Sequence, residues 1–207
     1  MSSADTQFSK VRLEMLCDGI FAIAMTLLVL ELKPPELPRQ ATSTEILHAL
    51  REHGLAFVGF VLSFLLAGQF WILHHISFNY LRQASRALAM LTIPFLMFVS
   101  LLPFSTSMLT AYGLKNPVGL ICYFGNQFML AALLAVQWRL ARRQGLLTES
   151  DGSRKRRQFE LIITLQPVTF AVAIAVVFIA ARQALFAAAM TQMAIALASK
   201  RAAAVRR

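Results

Sequence analysis

Between Glu52 and Glu149 the chain contains no acidic residue at all. Charge is scarce throughout: Asp, Glu, Lys and Arg make up 14% of the 207 residues, against roughly 25% in ordinary soluble domains. The two cysteines, Cys17 and Cys122, both fall inside apolar runs. There they read as small apolar side chains, not as a disulfide or a metal site. The four histidines do not form a ligand set either. His48 and His53 are separated by an apolar run from His74 and His75, and adjacent residues project about 100° apart on a helix. No serine–lysine or paired-aspartate protease pattern occurs, nor any solenoid repeat or low-complexity tract. The chain is therefore expected not to be an enzyme, and to hold no cofactor and no metal.

What remains is apolar: 57% of residues are hydrophobic and mean hydropathy is +0.62. A soluble core of this length needs far less. Six runs are candidate spans, at 12–32, 54–79, 87–112, 118–138, 159–181 and 184–199. A span needs about 20 apolar residues, and each must be helical because a lone strand leaves its backbone groups unpaired in lipid. The last run, short and Ala-rich, is the weakest. The first resembles a signal peptide only superficially, since "ELKPPELP" follows it in place of a small-residue cleavage site. The expected fold is all-α and integral to the membrane, with one six-helix unit over 1–207. Pro34 and Pro35 end the first helix, and Thr42 with Glu45 has the spacing of a capping box for a short helix leading into the second span.

The net charge of +10 would point to nucleic acid in a soluble protein. Here its distribution gives topology instead. With the N-terminus inside, the inner segments hold fifteen of the twenty Lys and Arg residues and the outer segments hold five. This bias predicts a multi-pass cell-membrane protein with both termini cytoplasmic. The richest segment, about 139–158, reads as a basic cytoplasmic loop that sets topology and touches anionic lipid. No nucleic-acid partner is expected.

The first run, "RLEMLCDGIFAIAMTLLVLEL", carries Asp18 at its inner end and no charge through its middle. At about 100° per residue, Arg12, Gly19, Ile23, Thr26, Leu27 and Leu30 fall on one stripe, with Asp18 about a third of a turn away and Met25 roughly opposite. An Ile/Leu stripe is ordinarily packing or lipid contact. Repeated around an axis, it would also form a constriction that gates by dewetting. Periodicity leaves both readings open. A carboxylate inside a span needs a partner, Glu14 would repel it, and the second run offers Gln69, Trp71, His74 and His75 at the same end. A carboxylate–imidazole contact is the expectation. A proton- or ion-coupled secondary transporter using Asp18 and His74 or His75 is the alternative; it would call for paired helix breaks in two halves. Only the third run, with Pro94 and Pro103, is interrupted.

Three blocks in order carry a family resemblance. The first run matches a pattern of Arg, three residues, Phe-Ser-Asp-Gly, Ala-Ile and Thr-Leu-Leu at Arg12, Asp18, Gly19, Ala22, Ile23, Thr26, Leu27 and Leu28. The second matches Trp, two residues, His-His, two residues, Phe at Trp71, His74, His75 and Phe78, and "LLPFSTSML" matches at Pro103, Phe104 and Thr106. Over roughly 12–110 the chain resembles the transmembrane protein 175 family of lysosomal-type potassium channels and their bacterial relatives. It departs where Leu16 and Cys17 stand for the usual Phe and Ser, and where Thr92 stands for an Asn.

The resemblance implies a potassium-permeable cation channel without a selectivity-filter loop, and the chain has no TVGYG-like segment. It implies a bacterial, single-repeat homotetramer in which the first helices line a central pore. It further implies a constriction at Ile23, Leu27 and Leu30, a contribution to potassium preference from Thr26, and an inner structural network of Arg12, Asp18, Trp71 and His75. The expected partners are K+ and, less readily, Na+, together with the bilayer and copies of the chain.

Overall fold

A computed structural model describes residues 9–112, 116–148, 154–180, 188 and 190–197. Its named elements are all helical: α1 (Lys10–Leu27), a 3-10 turn (Leu28–Glu31), α2 (Ser43–Glu52), α3 (Gly54–Asn79), α4 (Arg86–Ser100), α5 (Leu102–Tyr112), α6 (Pro117–Arg143) and α7 (Arg154–Ala180). Among the described residues five stretches are long and apolar enough to span a membrane, with α4 and α5 together forming the third. The expected sixth span, 184–199, lies largely outside the described residues; within it, 190–197 is helical.

Local chemistry sets most of the boundaries. Ser9 caps α1, its hydroxyl accepting the Arg12 backbone N–H. Ser85 does the same for α4 through the Leu88 N–H. Asn116 caps α6, and Pro117 at the first turn lacks an N–H that would be unpaired there anyway. The Thr42–Glu45 capping box forms as expected, with the Thr42 N–H and hydroxyl both donating to Glu45. Those two bonds hold the Glu45 carboxyl below its ordinary pKa. A carboxylate lowered in this way stabilises the helix above its ordinary pKa, and that support is lost as pH falls through the lowered value. The break between α4 and α5 falls at Leu101. Pro103 has no N–H, and in a continuous helix its ring would press on the carbonyl four residues back.

Two expected boundaries move. The fourth span does not stop at 138, because α6 continues to Arg143. The basic stretch placed in a loop at 139–158 is therefore mostly helix end, with α7 restarting at Arg154. Long cationic side chains keep their heads in water while their helix stays in the interface, so charge does not end a helix. The first span also changes character, tightening from α to 3-10 geometry at Leu28.

The core runs the length of the bundle. α6 is its centre, packing on α4, α5 and α7, while α1 lies against α3 and α4. Trp138, Tyr123, Phe21, Phe70, Phe95 and Phe170 are fully buried. Polar groups inside are paired across helices: Thr106 donates to Ser63 (2.8 Å), Ser63 donates to Tyr123 (3.2 Å), and Asn126 donates to Ser105 (3.3 Å). Such pairs serve as the interhelical hydrogen bonds of a membrane bundle.

At Gly59 the α3 and α5 backbones come close. A Cβ there would lie 2.5 Å from Thr110 Cγ2. Gly59→Ala should therefore destabilise the bundle by about 1–3 kcal/mol, and Thr110→Ser, which removes that methyl, should restore most of the loss. Thermal unfolding of the single and double variants in detergent measures this coupling. Additive losses would mean that the contact is not the limiting one.

Candidate functional site

α1 is packed on one side only. Leu13, Cys17, Phe21 and Ala24 are buried, followed by Leu28 in the 3-10 turn. Spaced three or four residues apart, they form a single helical face. Phe21 meets Phe95 of α4 at 5.9 Å between ring centroids. The opposite face is bare: Ile23 is 60% exposed, Leu27 42% and Leu30 66%, with Leu16, Gly19 and Thr26 exposed beside them. The stripe read from the sequence is thus the unpacked face of the first helix in a single chain. The 3-10 turn winds about 20° further per residue than an α-helix, so Leu30 swings closer to the line of Leu27 than uniform α geometry implies.

Thr26 sits where the helix tightens. Its hydroxyl donates to the Ile23 carbonyl at 2.8 Å. That bond uses the hydroxyl's only proton, so the oxygen's remaining lone pair is what Thr26 offers outward. Met25 corrects the expectation that it lies free opposite the stripe. It is half-buried, and its methyl would lie 3.8 Å from a Cβ at Gly68 of α3. A polar residue there would disturb helix packing.

Asp18 finds its partner on α3, but the partner is not an imidazole. The Trp71 indole N–H donates to Asp18 Oδ1 at 2.8 Å. His75, one turn further along, stacks on the Trp71 ring with centroids 5.9 Å apart. Asp18, Trp71 and His75 therefore form one cluster, with His75 attached through the indole. Arg12 does not join it: among the described residues its guanidinium makes no ion pair, and the side chain is exposed. On a helix it projects about 120° away from Asp18. Glu14 lies 4.0 Å from Lys10 Nζ.

His74 occupies a different site. It is 2% exposed, stacks on Phe95 at 5.3 Å and approaches Cys17 Sγ at 3.5 Å through Nε2. Cys17 is thus the polar neighbour of a buried imidazole, which the reading of it as apolar filler missed. The signal was its place three residues before Ile20 and four after Leu13, on the packed face. The transporter alternative needed Asp18 and His74 to share a site. In the structure Asp18 binds the indole while His74 faces Cys17, on a different side of α3. His48 and His53 lie at the far end, His48 beside Glu52 and His53 bonded to the Ala49 carbonyl.

The basic end carries a feature with no sequence signal. Lys10 donates to the Leu81 carbonyl at 3.0 Å. Leu81 forms an antiparallel bridge with Leu147, supported by Arg82 N–H to Leu146 O and Thr148 N–H to Tyr80 O, both at 2.9 Å. Ser85 donates to Gln144 at 2.7 Å. The start of α1 is thereby tied to the α3–α4 turn, and that turn to the α6–α7 turn.

Fold and site define a multi-pass helical membrane protein whose first helix is braced at one end and bare along its middle. Residues 12–103 match the family model described as endosomal/lysosomal potassium channel TMEM175. A potassium channel of Streptomyces collinus is 28% identical over 174 residues, covering 82% of this chain and 83% of that protein. The human endosomal/lysosomal proton channel TMEM175 is 33% identical over 109 residues, covering 50% of this chain but 22% of its own length. The crystal structure of a lysosomal potassium-selective channel TMEM175 homolog from Chamaesiphon minutus superposes with a TM-score of 0.75 at 26% identity, over 92% of this chain and 97% of that one. The chain belongs to the TMEM175 family.

The indole–carboxylate bond joins α1 to α3 at a half-exposed position. Trp71→Phe, which deletes the donor and keeps an aromatic ring, should lower stability by about 1 kcal/mol. Asp18→Asn keeps an acceptor and should cost less. Thermal midpoints in detergent decide the order; a larger loss for Asp18→Asn would mean that the carboxylate's charge, and not this bond, matters.

Proposed function

We propose that the protein is a potassium-permeable cation channel, assembled as a homotetramer around four copies of α1. The observation that carries this reading is the bare face of Ile23, Thr26, Leu27 and Leu30 on a helix whose other side is packed. One helix cannot enclose a pore, and a closed symmetric assembly lets identical faces meet around an axis. The potassium-channel names of the relatives in Streptomyces collinus and Chamaesiphon minutus point the same way. In this arrangement the basic end faces the cytoplasm of a cell membrane, as the charge bias requires.

Permeation then follows from ordinary ion chemistry. Four branched side chains at each of Ile23, Leu27 and Leu30 leave a narrow apolar gap that wets poorly. An ion crossing it sheds part of its hydration shell. K+ does so more easily than Na+, which gives a modest preference for K+, and the Thr26 oxygen replaces some of the lost water. Asp18, Trp71 and His75 take no part in coordinating the ion. They hold the inner end of α1 in register.

Two outcomes test this. Ile23→Asn should wet the gap, raise single-channel conductance and reduce discrimination between K+ and Na+; Leu27→Asn and Leu30→Asn should act in the same direction. Met25→Asn should lower assembly instead, because its contact is with α3. Planar-bilayer recordings of variants matched for assembly check this, and an unaltered Ile23→Asn channel would remove the stripe from the pore. Independently, cross-linking in mild detergent should end at four subunits. A monomer that conducts would overturn the tetramer.

A further inference from the structure

The helix ends at the basic pole form a second surface. Arg139, Arg142 and Arg143 at the end of α6 and Lys155 and Arg157 at the start of α7 are exposed. Arg142 also pairs with Glu160, which ties the two helix ends together. Between 139 and 160 the sequence holds seven cations against three carboxylates, Glu149, Asp151 and Glu160. The excess positive charge therefore survives local pairing. Beneath it lies an aromatic cluster: Trp138 meets Phe159 at 5.1 Å and Tyr80 at 5.8 Å. Aromatic side chains of this kind sit at headgroup level in membrane helices. The cations one turn beyond them consequently face the phosphates of the bilayer.

This surface has a mechanical connection to the first helix. The α6–α7 turn is paired to the α3–α4 turn through Leu81 and Leu147, and Lys10 of α1 donates to the Leu81 carbonyl at 3.0 Å. We propose that the α6–α7 hairpin binds anionic phospholipid headgroups, and that the Lys10–Leu81–Leu147 latch carries this engagement to α1 and so regulates permeation. The binding half stands on charge, position and the aromatic layer. The regulatory half rests on the channel reading. Charge complementarity selects the partner: arginines in a plane at the membrane surface match phosphodiester groups with fork-shaped donors. When the hairpin is drawn to the headgroups, the paired turn moves with it, and the Leu81 carbonyl repositions the amine that anchors the start of α1.

The test uses the full chain and has two arms. In the first, native mass spectrometry counts phosphatidylglycerol retained by the purified protein in competition with phosphatidylcholine. Phosphatidylglycerol should be preferred, and Arg142→Gln and Arg143→Gln should each weaken retention about fivefold. Equal retention of the two lipids by the unaltered protein, or undiminished retention by both variants, would overturn the surface. Inorganic phosphate should not displace the lipid at matched concentration; displacement would mean a soluble-anion site and would also overturn the proposal. In the second arm, K+ flux is compared in phosphatidylcholine vesicles with and without phosphatidylglycerol. Flux should differ between them for the unaltered protein. Lys10→Met should retain the lipid but bring the flux ratio to about one, because the amine that reads the latch is gone. A ratio unchanged in Lys10→Met would overturn the coupling. No K+ flux in either lipid would refute the channel reading and with it the regulatory half, while the retention arm still decides the surface.

Discussion

The structure depends on α1 being packed along one face and left unpacked along the other. Leu13, Cys17, Phe21, Ala24 and Leu28 seat the helix on α3 and α4, and their side chains are spent in that contact. In hydrocarbon there is no water to drive helices together, so close packing and a few hydrogen bonds hold the helix in place. Those bonds lie at its ends. Lys10 grips the Leu81 carbonyl, and Asp18 accepts from Trp71. Between Gly19 and Leu30 no charged side chain occurs, and the outward face there consists of Ile23, Thr26, Leu27 and Leu30. A helix held in this way presents a fixed apolar surface without needing polar groups on it.

The rest of the bundle maintains that placement. α6 sits at the centre, and α7 runs along it. The Ser63–Thr106–Tyr123 chain and the Asn126–Ser105 bond satisfy hydroxyl and amide groups that would otherwise be costly in an apolar interior. At Gly59 the absence of a side chain lets α3 and α5 approach as far as Thr110 allows. The rigid part of the molecule thus lies behind α1, and the face turned away from it is free to meet another copy.

The two histidines on α3 illustrate how one turn of helix separates roles. His74 and His75 are adjacent in sequence, yet one is enclosed by Phe95, Phe78 and Cys17 while the other lies on the Trp71 ring at the surface. The angular offset of about 100° between neighbours produces this division. It also separates Asp18 from His74, so a carboxylate and an imidazole close in the chain do not make one site.

Much of this protein was legible from the order of its residues. Apolar runs and the need to pair every backbone group in lipid determine that it is helical and spans the membrane several times. Ser85, Asn116 and Thr42 with Glu45 mark helix starts because their side chains cap whatever follows. Helical periodicity places Ile23, Thr26 and Leu27 together on one face of α1. Other features follow only from the tertiary structure. Periodicity states which residues share a face but not whether that face is packed, and only the seating of α1 on α3 and α4 leaves Ile23 exposed and Met25 against Gly68. The choice of Trp71 over a histidine as the partner of Asp18 depends on the rotation of α3 relative to α1, which no spacing within either helix encodes. The latch from Lys10 to Leu81 and Leu147 uses backbone groups, and every residue carries those groups alike. Sequence therefore contains no mark for it, and the pairing exists only because three distant turns are brought to the same end of the bundle.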